Sequence, residues 1–121
     1  MILGLRTVIY PVADITDAIA WYTGVLERAP YFSEPYYVGF EVGGFELGLV
    51  PDGMPGATGA TAYWGTADIG TEVQRLLGLG ASIDSPITEV GGGIHVATLK
   101  DPDGNLFGVI QNPHFDVAKV S

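Results

Sequence analysis

The chain is written twice. Val12-Ala13-Asp14-Ile15 recurs as Thr66-Ala67-Asp68-Ile69, 54 residues later. Each copy follows a short apolar stretch and precedes a stretch whose apolar residues recur at helical spacing. Gly43-Gly44-Phe45-Glu46-Leu47 and Gly104-Asn105-Leu106-Phe107-Gly108-Val109 then each open a strand after a glycine turn. The order of element types repeats across most of the sequence. Neither copy can bury its helix face and its sheet alone, so the two strand–helix–strands units are expected to pair into one cleft-forming sheet.

Element by element, residues 5–12 read as a strand, with Asp14 as helix N-cap and Asp17 near the positive helix end. Ile15, Ala18, Ile19, Tyr22 and Leu26 form the apolar face of that helix, which contains Gly24. Residues 28–35 hold two prolines and are expected to be a loop that carries Tyr31 and Phe32 and, with Tyr36, rims the cleft. Residues 36–42 and 45–50 are strands around Gly43-Gly44, a hairpin signal. Residues 51–60, with Pro-Asp-Gly-Met-Pro-Gly, read as a linker. In the second copy, 61–66 is a strand, Asp68 an N-cap, and Ile69, Val73, Leu76 and Leu77 a helix face stopped by Gly78-Leu79-Gly80. Strands follow at 81–87, 94–100 and 106–111, and the tail after Pro113 is expected to fray or to pack on a partner.

A length of 121 residues fits one domain. A hydrophobic share of 47% with 16% charged residues excludes a disordered chain, and 18 glycines favour a turn-rich, strand-rich architecture. No apolar run approaches the ~20 residues of a membrane span. Met1-Ile2-Leu3-Gly4-Leu5-Arg6 lacks the basic start and cleavage site of a signal peptide, so a soluble, cytoplasmic protein is expected. With no cysteine, disulfides, thiolate nucleophiles and thiolate metal sites are excluded. A formal charge of −9 argues against nucleic acid as a partner and is compatible with a cationic ligand. No phosphate-binding glycine loop, nucleophile elbow or catalytic triad is present.

Val12-Ala13-Asp14-Ile15, with Trp21-Tyr22 on the first helix and Asp101-Pro102-Asp103-Gly104-Asn105 before the final strand, resembles the vicinal oxygen chelate superfamily. That group includes glyoxalase I, extradiol dioxygenases, fosfomycin-resistance transferases and bleomycin-resistance binding proteins. The resemblance spans residues 5–111. It implies an α+β fold, two pseudo-repeated βαβββ modules forming a curled mixed sheet around a central cleft, helices outside, and often a homodimer. On that pattern one glyoxalase-like domain comprises module 1 (5–50), a linker (51–60), module 2 (61–111) and a tail (112–121).

Family enzymes hold a divalent metal with a histidine seven residues before each helix-capping aspartate and a carboxylate in each module's last strand. Thr7 and Thr61 stand at the histidine positions, and Glu46 and Gly108 match the carboxylate positions. A divalent ion needs three or four fixed oxygen, nitrogen or sulfur donors. Glu46 alone does not suffice, so no metal and no cofactor are expected.

Across a two-residue Gly43-Gly44 turn Glu46 would face Glu41, a pair in which one carboxyl pKa is pushed up for acid–base work or an amine is received. The alternative is two solvated carboxylates. His95 shares the cleft face with Gly108 and Ile110 if a two-residue turn closes at Asp103-Gly104. A one-residue change of register turns it outward. His114 reads as solvated. Ile9, Tyr37 and Tyr63 lie on the cleft side of their strands, with Trp64 there in another register, and Gly39, Gly48, Gly65 and Gly108 would leave room for a ligand. The expected ligand-binding set is therefore Thr7, Ile9, Tyr37, Glu41, Glu46, Thr61, Tyr63 and His95. Aromatic walls with polar tips suit a planar organic molecule. The expected function is metal-independent binding or sequestration of an aromatic or cationic compound such as an antibiotic. The rival is a glyoxalase-like lyase, isomerase or dioxygenase using Glu46, Glu41 or His95 or a recruited metal. A third reading is a degenerate domain acting only in dimeric interaction.

Overall fold

Both helices begin on the duplicated aspartate. Asp14 Oδ1 accepts the backbone N–H of Asp17 at 3.0 Å, and Asp68 Oδ1 accepts that of Thr71 at 3.1 Å, satisfying helix donors that have no partner within the helix. The resulting helices are α1 (Ile15–Leu26) and α2 (Ile69–Gly78). α1 stops at Glu27, which adopts a left-handed conformation at φ 58. Beyond α2 the chain turns at Gly80, φ +102, where that conformation carries no Cβ penalty. The computed structural model describes residues 6–56 and 61–114. Residues 57–60 of the expected linker, the expected strand start at residue 5 and the tail beyond His114 lie outside the described residues.

The chain divides into two compact units at residues 55 and 56. In the first, β1 (Thr7–Pro11), α1, β2 (Phe32–Glu34), β3 (Tyr37–Val42) and β4 (Phe45–Val50) form a four-stranded sheet of order β1-β4-β3-β2. β1 runs parallel to β4 and the other pairs are antiparallel. The second repeats the plan with β5 (Tyr63–Gly65), α2, β6 (Ser82–Glu89), β7 (His95–Lys100) and β8 (Leu106–Gln111), in the order β5-β8-β7-β6. Each unit is thus a βαβββ module with a mixed sheet, and the fold is α+β. One expectation is corrected here: residues 32–34 are a strand, not loop. Pro35 and Tyr36 make the tight turn that folds β2 back on β3 in the pairing Glu34↔Tyr37.

Period-two alternation sorts each sheet into a helix-packed face and a helix-free face. In module 1, Tyr10, Val38, Phe40, Leu47 and Leu49 are buried against Ala18, Tyr22 and Val25 of α1. In module 2, Ala97, Leu99, Phe107 and Val109 are buried with Ile69, Val73 and Leu76 of α2. Trp64 belongs to this helix-packed side, its ring stacked on Phe107 at 5.6 Å.

Two features of module 2 depart from module 1. Lys100 pairs with Leu106, so residues 101–105 all belong to the β7–β8 turn, whereas Val42 pairs with Phe45 across only Gly43-Gly44. The longer turn is held by the buried Asp101 carboxylate, which accepts the N–H groups of Asp103 at 3.0 Å and Asn105 at 2.8 Å. Asn105 donates back to Asp101 at 3.3 Å and accepts the N–H of Gly56 at 2.9 Å. The outer strand β6 is exposed along its whole length, contains Pro86, and is interrupted by irregularities between Ile83 and Ser85 and between Ser85 and Thr88.

Candidate functional site

The helix-free face of module 1 gathers its polar groups on one carboxylate. Strand pairing sets Thr7 beside Glu46, Ile9 beside Gly48, Gly39 beside Gly48, and Glu41 opposite Glu46. Glu46 Oε1 accepts the Thr7 hydroxyl at 3.2 Å and the Tyr37 hydroxyl at 2.8 Å. Glu46 Oε2 accepts the Tyr31 hydroxyl. A pocket of about 500 Å³ opens beside this cluster, lined by Arg6, Thr7, Tyr31, Glu41, Phe45 and Glu46, a size within the range of small-molecule sites.

Glycines make the convergence possible. A Cβ on Gly48 would stand 2.7 to 2.8 Å from ring carbons of Tyr37, and one on Gly39 would stand 2.7 Å from Glu46 Oε2 and 3.1 Å from the Tyr31 ring. Cβ contacts under 3.0 Å essentially never occur, so Tyr37 over Gly48 and the Glu46 carboxylate over Gly39 hold these places because the two positions have no side chain. Module 2 repeats the device: a Cβ on Gly108 would meet the Tyr63 ring at 2.6 Å. Gly39, Gly48 and Gly108 were expected to leave ligand volume; the side chains of Tyr31, Glu46, Tyr37 and Tyr63 fill that space instead. A Cβ on Gly65 would meet nothing within 4 Å among the described residues.

Hydrogen bonds and burial together shift the titration of the cluster. The Glu46 pKa is lowered, first by the Tyr31 hydroxyl, with Tyr37 and Thr7 adding to it and outweighing the opposing effect of partial burial. Tyr37 is pushed up to about 12 by desolvation, then by its bond to Glu46 and the nearby negative charge. Tyr31 is also raised, chiefly by its bond to Glu46. Glu46 is therefore not a carboxyl pushed up by its neighbour Glu41, as the acid–base reading expected. Glu41 does sit opposite Glu46, but its Oε1 caps the turn by accepting the Gly44 N–H at 2.9 Å and its Oε2 lies 3.5 Å from Arg28 Nη1.

His95 requires a second correction. Thr98 pairs with Gly108 and Val96 with Ile110, so His95, Ala97 and Leu99 share the helix-packed side with Gln111, Val109 and Phe107. The cause is the turn of residues 101–105, one residue out of register with the two-residue turn on which the cleft-facing placement depended. His95 Nδ1 lies 3.2 Å from the Gly93 carbonyl oxygen. His114, expected to be solvated, is exposed with Nε2 2.8 Å from the Gly92 carbonyl oxygen.

Module 1 therefore brings Thr7, Ile9, Tyr37 and Glu46 onto one face with Glu41 at its end. In module 2, Tyr63 lies over Gly108, and Thr61 precedes the same strand. Tyr31 completes the cluster; the sequence placed it in a loop rimming the cleft, without its bond to Glu46. Its signal was the Pro35-Tyr36 turn, which folds residue 31 back beside Gly39, whose carbonyl oxygen accepts the Tyr31 N–H at 3.0 Å. Module 2 also carries a pair that sequence reasoning missed, Thr98 donating to Asp84 at 2.8 Å.

The repeat register also revises the match to metal-binding positions. Val12 N–H bonds Val50 O, and Thr66 N–H bonds Ile110 O, both at 2.9 Å. Val50 and Ile110 are thus counterparts, which makes Gly48 the counterpart of Gly108 and Leu106 that of Glu46. Glu46 and Gly108 are not equivalent positions. Among the described residues no group of three or more histidines, aspartates or glutamates is placed to hold a metal ion. Threonine hydroxyls and glycines do not supply the donor set of a divalent ion, so the residues present do not fit one. Among the described residues no helix is long and apolar enough to cross a membrane.

Comparison with known proteins agrees with this architecture. Residues 4–109 match the family model of the Glyoxalase/Bleomycin resistance protein/Dioxygenase superfamily. No curated protein matches the sequence at a significant level. Among solved structures, the genomically encoded fosfomycin resistance protein FosX from Listeria monocytogenes is similar at TM-score 0.79 and 18% identity, over 94% of this chain and 97% of that one. A glyoxalase-related enzyme from Fulvimarina pelagi aligns at TM-score 0.76 and 16% identity, over 93% and 90%. TioX from Micromonospora sp. ML1 aligns at TM-score 0.68 and 18% identity, over 89% and 98%. At these identities the likeness is one of fold. Carried by the family match over most of its length and by two βαβββ modules, the chain belongs to the Glyoxalase/Bleomycin resistance protein/Dioxygenase superfamily.

Proposed function

We propose that this chain is a metal-independent small-molecule-binding member of the superfamily that holds an aromatic or cationic compound, an antibiotic among the candidates, without transforming it. The observation that carries this reading is the Glu46 carboxylate with its three hydroxyl donors beside a pocket of about 500 Å³. A general acid or base works best with a pKa near the operating pH. Glu46 is driven below its ordinary value and Tyr31 and Tyr37 above theirs. Such a cluster suits fixed recognition rather than proton transfer. The fosfomycin resistance function named for FosX supports an antibiotic as ligand class. The reading extends to a homodimer in the cytoplasm, the dimer being common in this superfamily.

Calorimetric titration with a panel of cationic and aromatic antibiotics tests the reading. Saturable binding with recovery of unchanged ligand is expected, and uniform absence of binding overturns it. The rival enzyme reading, a lyase, isomerase or dioxygenase, is separated by metal analysis of protein purified without chelator. A stoichiometric transition metal together with turnover would favour the rival.

A further inference from the structure

Resting on the binding reading above, we propose that the ligand group received at Glu46 is a protonated amine, and that Tyr31 is a displaceable gate whose phenol occupies the acceptor position the ammonium takes. The two carboxylate oxygens are unequally committed. Oε1 already accepts from Thr7 at 3.2 Å and Tyr37 at 2.8 Å, whereas Oε2 accepts from Tyr31. A carboxylate oxygen has about two acceptor sites, so Oε1 is filled and an incoming donor is received at Oε2, where the Tyr31 phenol now stands.

The two tyrosines are held differently. Tyr37 is half-buried, lies across Gly48 and packs beside Phe32 with ring centroids 6.2 Å apart. Tyr31 is 64% exposed and lines the pocket. Its backbone is fixed, because its N–H bonds the Gly39 carbonyl oxygen at 3.0 Å. Swinging the ring therefore requires side-chain rotation alone. An ammonium that replaces the phenol exchanges a bond with one charged partner for a bond with two, which is the stronger kind. The net charge of −9 further favours a cation. Phe45 on the pocket wall offers apolar surface to the body of the ligand.

The test uses the intact protein and two aryl-alkyl amines, phenethylamine and tryptamine, each compared with the alcohol of the same skeleton. Calorimetry should show the amines binding about tenfold or more tighter than the alcohols. Tyr31→Phe removes the competing donor and should tighten amine binding about three- to tenfold, while Tyr37→Phe loosens Glu46 and weakens it by a similar factor. Equal affinity for amine and alcohol overturns the cation assignment, and so does failure of both amines to bind. Weakened or unchanged amine binding in Tyr31→Phe overturns the gate. Thermal unfolding of each variant identifies one that has failed to fold, and Tyr31→Leu, which also lacks the hydroxyl, then replaces it under the same criterion. The broader reading fails separately, when neutral aromatic compounds and antibiotics also do not bind.

Discussion

The ring of Tyr37 occupies the space that a side chain at Gly48 would need, and from there its hydroxyl reaches Glu46 Oε1 at 2.8 Å. The glycine on one strand and the phenol on its neighbour act as a single part. Gly48→Ala is expected to tip the ring, break the bond to Glu46 and destabilise the protein by about 1–3 kcal/mol through overpacking. Gly108→Ala should be worse, because a Cβ there meets the Ala62 carbonyl oxygen at 2.7 Å and backbone cannot swing aside as a ring can. Gly65→Ala, whose Cβ would meet nothing within 4 Å among the described residues, is the control and should be near neutral. Denaturant unfolding of the three variants checks the ranking.

Tyr37 should titrate late. Its pKa is raised from 10.0 to about 12, so the folded state favours the neutral phenol. The stability this confers is fully present below the unfolded pKa and is lost as pH rises from 10 through 12. Near-ultraviolet absorbance should show a phenolate step at the top of that window in the wild type and lose it in Tyr37→Phe. Gly48→Ala should bring the step down toward the ordinary value.

Glu46 has the opposite sign. Its folded pKa lies below the ordinary value of 4.5, so its contribution is present above that value and lost as pH falls through the folded pKa. Glu46→Gln is expected to cost about 1 kcal/mol at neutral pH, the scale of a net hydrogen bond. The gap to wild type should close in acid, as measured by unfolding at a series of pH values.

The β7–β8 turn depends on a buried carboxylate. Asp101→Ala leaves the N–H groups of Asp103 and Asn105 without their acceptor and is expected to cost about 1–3 kcal/mol. Asn105→Ala should cost less and should speed amide exchange at Gly56, whose N–H it deprives of a partner. Hydrogen exchange read by NMR checks both.

Much of the fold was legible because it rests on local chemistry. Asp14 and Asp68 announce the helices through a side chain that bonds three residues onward, and β4 and β8 begin and end where apolar patterning and glycine turns place them. What was hidden depends on pairing between distant residues. The strand at Phe32–Glu34 is short and lies beside Pro35, so it has too few residues to show a period. The side taken by His95 rests on whether the turn at residues 101–105 has two residues or five, and Asp-Pro-Asp-Gly-Asn contains a tight-turn signal that conceals the longer one. In the site, Glu46, Thr7 and Tyr37 were readable as residues of one face. That Gly39 and Gly48 seat rings rather than leave space follows from cross-strand neighbours, which spacing along the chain does not display.

The outer strand of module 2 has a consequence for how the protein behaves at high concentration. An unpaired strand edge invites a second chain to extend the ladder. Along β6, Pro86 offers no N–H and the pairing with β7 shifts register at two places. A neighbouring molecule approaching that border finds an interrupted template, so crowding should not turn this border into the seed of a growing fibre.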